Sequence, residues 1–215
     1  MENTFSEQRE VNEAETRLLE SALVLFSEKG YEGTSIREII EGAGVTRPVL
    51  YYYFTNKEDL FRRLLEPALA EYTRTLLSVR ENYSEVIGRL KAIARATFAF
   101  AEKNPQAVRL ILQLYFSPPK CGPKLDKSIY RLRRFRLLEE IMQDGLDRGE
   151  LAGGDAQSLA LTLIGMMDTF VTSKSYLTDT HLSSEAAEGL IDLFFYGACY
   201  KENPPSVLVS PFKYV

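Results

Sequence analysis

The sequence predicts an all-α protein of about nine helices. Apolar residues recur at helical spacing along almost the whole chain, and no run alternates as a β-strand would. Capping residues, glycines and prolines divide this pattern into segments of helical length. At 215 residues, with 45% hydrophobic and 26% charged residues, the chain is typical of a globular protein with a sizeable core.

Several classes of protein are excluded by composition. No segment approaches the roughly 20 apolar residues of a membrane span, and the polar N-terminus lacks a secretory signal, so we expect a cytoplasmic protein without membrane association. Cys121 and Cys199 lie far apart, with only His181 to assist them. We therefore expect neither a disulfide framework nor a metal site, and no cofactor.

The first 54 residues predict three helices. The first carries apolar residues from Leu18 to Phe26, and Gly30 is suited to end it as a left-handed cap. The second begins at the capping-box pattern Ser35-Ile36-Arg37-Glu38 and ends at Gly42-Ala43-Gly44. Thr46 is expected to cap the third, a short helix from Arg47 to about Phe54 with Pro48 in its first turn.

Longer helices are predicted after this region. Asn56 caps the fourth, which Pro67 is expected to kink or break. The others are predicted over Ser84–Lys103, from Pro105 through Leu114, through Ile129–Met142, over Asp155–Tyr176, and from Ser183 or Ser184 to about Tyr200.

Four segments follow from these elements: an acidic flexible arm over 1–15, a helix-turn-helix domain over 16–63, a larger helical domain over 64–200, and an irregular tail over 201–215. The arm contains five glutamates and one basic residue, Arg9, so its own net charge equals the net charge of −4 of the whole chain. Because the rest of the chain is neutral, a surface that binds nucleic acid must be basic only locally.

The second and third helices have the size and the glycine-containing turn of a helix-turn-helix. With Leu50 placed toward the core at 100° per residue, Tyr53 and Phe54 lie on the same side, whereas Pro48 and Tyr52 point away. Three consecutive tyrosines do not fit one apolar stripe, so at least one hydroxyl must face solvent or a partner.

Two stretches resemble the TetR family of bacterial repressors. They are Thr34-Ser35-Ile36-Arg37-Glu38-Ile39-Ile40, and Gly44-Val45-Thr46-Arg47-Pro48-Val49-Leu50-Tyr51-Tyr52-Tyr53-Phe54 followed by Asn56-Lys57-Glu58. The resemblance is close over residues 15–63, and the later helices match only in number, length and order. The sequence departs from the family pattern at Gly42, where a helix-forming residue is commoner.

The resemblance implies a set of DNA-contacting residues. Arg37, Arg47, Pro48 and Val49 stand where the family reads bases; Thr34, Thr46, Tyr51 and Lys57 match phosphate contacts; Tyr52 suits either role; and Ser35 belongs to the same surface. An arginine side chain can donate two hydrogen bonds to the edge of a guanine base, which agrees with this assignment.

The larger domain is expected to form a homodimer, because the third helix, which is the candidate reader helix for DNA bases, contacts few base pairs by itself. The candidate interface residues lie on the last two helices: Leu163, Met167, Leu190, Ile191, Phe194 and Phe195. The alternative is that both helices fill the core of one chain.

An effector pocket is expected among the preceding helices. The candidate lining residues are apolar or aromatic: Tyr72, Phe98, Phe100, Tyr115, Phe116, Phe135, Met142, Met166 and Phe170. Ordinary core packing is the alternative for each of them. Asp168 needs a partner if it is buried, and the arginines from Arg131 to Arg136 are interpreted as a solvated helix face rather than an anion site.

These observations predict a repressor that a small, largely apolar effector releases from a palindromic operator. The alternative is a helical protein-interaction module without sequence-specific DNA binding. The sequence contains no metal-ligand spacing, phosphate-binding glycine loop or nucleophile motif, so it does not predict an enzyme.

Overall fold

The computed structural model describes residues 2–116, 122–123, 128–176 and 181–196, with side chains described over 13–79, 83–113, 122–123, 132–174 and 181–196. Nine helices lie in these ranges: α1 (Glu2–Gly33), α2 (Ile36–Ala43), α3 (Arg47–Tyr53), α4 (Lys57–Asn82), α5 (Val86–Lys103), α6 (Pro105–Phe116), α7 (Ser128–Asp147), α8 (Ala156–Tyr176) and α9 (Ser184–Tyr196).

The all-α prediction is confirmed, and one local expectation is corrected. The acidic arm expected over residues 1–15 is helical from Glu2 onward, because no proline or glycine interrupts the chain before Gly30. Helix α4 continues through Pro67, so the chain does not break there, and the kink expected as the other outcome stays a prediction. The tail predicted over 201–215 and both cysteines lie outside the described residues.

The described residues fall into two compact units. Unit 1 lies within residues 1–68 and 105–127, and unit 2 lies within residues 69–104 and 128–215. Helix α4 contributes its first part to unit 1 and its second part to unit 2. The boundaries predicted from sequence for the functional domains stay predictions.

Unit 1 is built around buried aromatic and aliphatic side chains of its first helices. The Phe26 and Phe61 rings meet edge to face with centroids 5.1 Å apart, and Tyr31 lies 5.3 Å from Phe61. Helix α6 joins this core through α1, where the Gln113 side-chain amide donates a hydrogen bond to the Ser27 carbonyl at 3.4 Å. These contacts give α2 and α3 a rigid support.

Unit 2 is a bundle in which α9 packs on α5 and α8 packs on α7. Two ion pairs link α5 with α9: Lys91 with Asp192, and Arg95 with Glu188, each at 2.7 Å. Over the part of the chain that the structure describes, none of the helices combines the length and the apolar character needed to cross a membrane.

Candidate nucleic-acid interface

The start of α2 is fixed by the predicted capping box. The Ser35 hydroxyl accepts a hydrogen bond from the Glu38 backbone N–H, and the Glu38 carboxylate accepts one from the Ser35 backbone N–H at 2.8 Å. Lys29 of α1 donates to the same carboxylate at 2.6 Å. These bonds, led by the one from Lys29 and followed by those from Ser35, lower the pKa of Glu38 to about 2.

The end of α2 requires two glycines for different reasons. Gly44 caps the helix in the left-handed conformation with φ 63°, and its N–H donates to the Glu41 and Ile40 carbonyls. A Cβ atom on Gly42 would lie 2.5 Å from the Ser21 hydroxyl, which itself donates to the Ile39 carbonyl at 3.0 Å. The departure at Gly42 therefore permits the close approach of α2 to α1.

Helix α3 presents one face to the core and one to solvent, as its periodicity predicts. Leu50 and Phe54 are fully buried, whereas Tyr51 is 45% and Tyr52 is 75% exposed. The Arg47 guanidinium lies 5.7 Å from the centre of the Tyr51 ring. Thr46 is the N-cap residue of α3, as expected, but its side chain makes no capping bond, and its exposed hydroxyl can reach a partner.

Thr34 does not fit the phosphate contact expected from the resemblance. Its side chain is 1% exposed, and its hydroxyl lies 2.8 Å from the Gly30 carbonyl and 3.1 Å from the Leu25 carbonyl, to which it donates. Gly30 has φ 73°, which breaks the regular path of α1. Thr34 therefore ties the turn before α2 to the end of α1, and its hydroxyl does not reach the surface.

Lys57 also bonds to backbone carbonyls of its own unit, although its side chain is only half-buried. Its ammonium donates to the carbonyls of Tyr31 at 2.8 Å and Thr34 at 3.0 Å, and it lies 4.2 Å from the centre of the Tyr31 ring. Burial, followed by the charges of Glu58 and Glu32, raises the pKa of Tyr31 to about 12, so this phenol is neutral at pH 7. Lys57 thus links α4 with the turn before α2, and the expected phosphate contact of this half-buried side chain stays a prediction.

Arg37 is on the surface but already has a partner. Its guanidinium Nε donates to the Glu41 carboxylate at 2.7 Å, and its side chain is largely exposed. The hydrogen bond to Glu41, followed by the Glu41 charge, raises the pKa of Arg37. Such an exposed pair contributes little to stability, so Arg37 can exchange the carboxylate for a base edge at low cost.

One surface brings together most of the predicted DNA contacts. Eight of these residues lie at the start of α2 and along α3, all exposed except half-buried Val49: Ser35, Arg37, Thr46, Arg47, Pro48, Val49, Tyr51 and Tyr52. We call these residues the α2–α3 surface. The sequence did not identify Lys29, because its partner Glu38 lies on another helix. It singled out Gly42 but not the close approach of Gly42 to Ser21 of α1.

Seven of the nine residues proposed to line a pocket lie in unit 2, among them two aromatic pairs and a buried methionine, whereas Tyr115 and Phe116 belong to unit 1. Tyr72 packs on Phe100 with ring centroids 4.8 Å apart, and Phe98 stacks on Phe170 at 5.9 Å. Met142 is fully buried. Phe135 and Met166 are half-buried, and the side chains of Tyr115 and Phe116 lie outside the described residues.

The expected dimer interface is partly wrong. Leu163, Met167, Leu190 and Ile191 are between 0% and 3% exposed within a single chain, because α8 and α9 pack on the helices of their own unit. The open alternative, that these residues fill the chain's own core, is correct for these four. Phe194 and Phe195 remain half-buried.

Comparison with known proteins places the helix-turn-helix in a recognised group. Residues 18–64 match the family model described as bacterial regulatory proteins, tetR family. The chain is 28% identical to the biofilm operon icaADBC HTH-type negative transcriptional regulator IcaR of Staphylococcus epidermidis over 54% of this chain and 61% of that protein. It is 26% identical to the uncharacterized HTH-type transcriptional regulator YdgC of Bacillus subtilis over 89% of this chain and 95% of that protein.

Solved structures share the fold of the chain. The transcriptional regulator FadR from Bacillus subtilis in complex with stearoyl-CoA matches with a TM-score of 0.70, 18% identity, and coverage of 85% of this chain and 98% of that chain. AibR in complex with isovaleryl coenzyme A and operator DNA matches with a TM-score of 0.68, 23% identity, and coverage of 85% and 98%. The helix-turn-helix over residues 18–64 is therefore of the type found in the tetR family of bacterial regulatory proteins, and the fold of the whole chain resembles that of these solved regulators.

Proposed function

We propose that this regulator is a repressor that binds a palindromic operator as a homodimer and leaves it when a small, largely apolar effector binds. The observation that carries the proposal is the α2–α3 surface, where Arg47, Pro48, Tyr51 and Tyr52 are exposed on a helix anchored by buried Leu50. An apolar anchor beneath exposed hydrogen-bonding groups is what a rigid reader helix requires.

Each group on this surface suits a distinct DNA contact. Arg47 can bind the O6 and N7 atoms of a guanine, and the Tyr51 hydroxyl can donate to a phosphate oxygen. The Arg47 guanidinium lies against the Tyr51 ring, so the tyrosine restricts the directions in which the arginine can point. Restricting a long side chain before binding lowers the conformational entropy that base contact would cost.

The proposed dimer uses the face of α8 that its own chain leaves uncovered. Leu161 is 56% exposed, and Gly165 is exposed one helical turn later. Phe194 and Phe195 of α9 offer further apolar area. An isologous interface through these residues would present two reader helices to a palindrome.

Relatives support the repressor and effector parts of the proposal. IcaR is a negative regulator, and the FadR and AibR structures contain stearoyl-CoA and isovaleryl coenzyme A, whose acyl chains are apolar. The aromatic pairs Tyr72–Phe100 and Phe98–Phe170 provide unit 2 with side chains suited to such a chain. We accordingly assign DNA binding to 16–63, and effector binding and dimerisation to 64–200.

Selection of bound duplexes from a random pool tests the DNA-binding half. We expect a palindromic consensus, and an affinity for it that falls steeply between 50 and 200 mM salt, as several phosphate contacts require. Recovery of no consensus, with binding insensitive to salt, would favour the protein-interaction module instead. Addition of stearoyl-CoA or isovaleryl coenzyme A to the complex then tests release. Linkage requires that DNA lower the affinity for the effector by the same factor by which the effector lowers the affinity for DNA.

A further inference from the structure

One lysine connects the two ends of the chain segment that carries α2 and α3. Lys57 is the first residue of α4, directly after the turn that follows α3. Its ammonium donates hydrogen bonds to the carbonyls of Tyr31 at 2.8 Å and Thr34 at 3.0 Å, both of which precede α2. These two bonds enclose residues 35–56, which contain the whole α2–α3 surface, and we call them the Lys57 clasp.

The carbonyls of the clasp lie at the end of a helix. Gly30 has φ 73°, which breaks the regular path of α1, and the helix continues after it only as far as Gly33. Carbonyls at the end of a helix lack partners within that helix, and a cation is favourable there. Lys57 provides this cation from another helix.

The Tyr31 ring further restricts the ammonium of Lys57, which lies 4.2 Å from the ring centre. The same ring stacks on Phe26 at 5.7 Å and meets Phe61 edge to face at 5.3 Å, so it is fixed in the core of unit 1. An ammonium has three N–H donors, and two of them serve the carbonyls. At most one donor is left for a phosphate while the clasp is closed.

The start of α4, on the other side of the clasp, is also fixed. The Asn56 side-chain oxygen accepts a hydrogen bond from the Asp59 backbone N–H at 2.8 Å and so caps the helix. The Asp59 carboxylate accepts one from the Thr55 backbone N–H at 3.0 Å. Because the backbone around Lys57 is held in this way, its side chain connects two rigid parts of the chain.

Lys29 provides an internal comparison. It also reaches the start of α2 from another helix, but it donates to the side-chain carboxylate of Glu38, and its own side chain is 46% exposed. An exposed ion pair of this kind contributes little to stability. Lys29 thus bonds to a side chain at the surface, whereas half-buried Lys57 bonds directly to the backbone before α2.

We propose that Lys57 is a positioning residue: through the clasp, and without a phosphate contact, it holds α3 in the orientation that DNA binding requires. This inference rests on the proposed function and assigns a role within it to one residue. Helices α2 and α3 keep their own caps and buried residues without the clasp. When the clasp is broken, only a fraction of molecules orient α3 correctly, and the apparent affinity for DNA falls by that fraction.

The first test is titration of the selected operator at several salt concentrations, at a temperature at which every variant is folded. It compares the wild type with Lys57→Met, which keeps an apolar stem and removes the ammonium, and with the matched control Lys29→Met. We expect Lys57→Met to weaken binding by about tenfold or more and to lower the melting temperature of the free protein. Lys29→Met should weaken binding by less than about threefold.

The salt dependence separates the clasp from a phosphate contact. A dimer that loses one phosphate contact per chain should lose about 1.8 from the slope of log affinity against log salt, since each neutralised phosphate contributes about 0.9. We expect the slope for Lys57→Met to stay within about 0.5 of the wild-type slope. A slope lowered by the full amount would assign Lys57 to a phosphate, and a lower melting temperature with unchanged affinity would make it merely structural. Either result overturns the inference.

The second test uses the wild type alone and is decisive even if Lys57→Met does not fold. Acetylation with an N-hydroxysuccinimide ester, read out by mass spectrometry, compares Lys57 with Lys29 and with Lys103, whose side chain is 66% exposed. In the free protein we expect Lys57 to react about tenfold more slowly than either, because its two bonds to carbonyls must first break. Fast labelling of Lys57 in the free protein, with protection on the operator, would overturn the inference.

Duplex selection on the same wild-type preparation separates the two proposals. A palindromic consensus together with unchanged operator affinity of Lys57→Met rejects the positioning role and leaves the proposed function intact. Absence of any consensus rejects the proposed function, and with it the reason to position α3.

Discussion

The α2–α3 surface and the α8–α9 pair differ in how residue type relates to position. Near α2, two polar residues expected at the surface, Thr34 and Lys57, bond to carbonyls inside unit 1. In α8 and α9, apolar residues expected at a partner's surface, such as Leu163 and Leu190, lie in the core of their own chain. Residue type thus indicates whether a side chain needs a partner, and the neighbouring helices determine which partner it finds.

The largest effect should separate the two faces of α3. Leu50→Ala removes a fully buried side chain and should lower the free energy of unfolding by about 2–5 kcal/mol. Tyr52→Ala, on the exposed face, should change that free energy by no more than about 0.5 kcal/mol while weakening DNA binding. Urea unfolding and operator titration measure both, and equal destabilisation by the two variants would contradict the assigned faces.

The next contrast concerns the two faces of α8. Leu161→Glu places a charge on the proposed interface and should raise the dimer dissociation constant at least 100-fold, about 2.7 kcal/mol, with the fold intact. The matched control is Leu77→Glu, because Leu77 of α4 is 58% exposed against 56% for Leu161. Sedimentation that shows a stable dimer for Leu161→Glu would place the interface elsewhere.

On the α2–α3 surface, Arg47→Ala should separate base reading from phosphate contact. We expect it to cost about 1–3 kcal/mol on the preferred operator and to relax the base preference at one position of each half-site. Arg74→Ala, which removes an exposed arginine of unit 2, is the control for loss of charge. An unchanged base preference in Arg47→Ala removes Arg47 from the reader residues.

Tyr51→Phe should behave differently from Arg47→Ala. Since the hydroxyl is assigned to a phosphate, its loss should weaken all duplexes alike, by about 0.5–1.5 kcal/mol. Binding to the preferred operator and to a scrambled duplex of equal length measures this directly. A loss confined to the preferred operator would assign Tyr51 to a base edge.

The smallest effect concerns the support of α2. The pKa of Glu38 is about 2 in the folded protein against an ordinary value of 4.5, so the bonds to its carboxylate stabilise the fold above about pH 4.5. This contribution falls as the pH decreases toward 2, because the carboxylate becomes protonated. Glu38→Gln should therefore lower the melting temperature at pH 7 and match the wild type more closely near pH 2.5. A difference that does not vary with pH would contradict the role of the charge.

Local sequence predicted much of this protein. The helical class, the capping box at Ser35 and the end of α2 at Gly42-Ala43-Gly44 depend on residues within a few positions of one another. The exposed and buried faces of α3 follow from its helical period once Leu50 is assigned to the core. These features were predicted because the interactions that create them are local.

Tertiary structure decided which partners the remaining side chains found. The contacts of Gly42 with Ser21, of Lys57 with the Tyr31 carbonyl, and of Arg134 with Asp168 join residues 21, 26 and 34 positions apart. Burial of Leu163 and Leu190 likewise depends on how helices of unit 2 pack. A helical period gives the direction of a side chain relative to its own axis, but only the packed helices decide what lies in that direction.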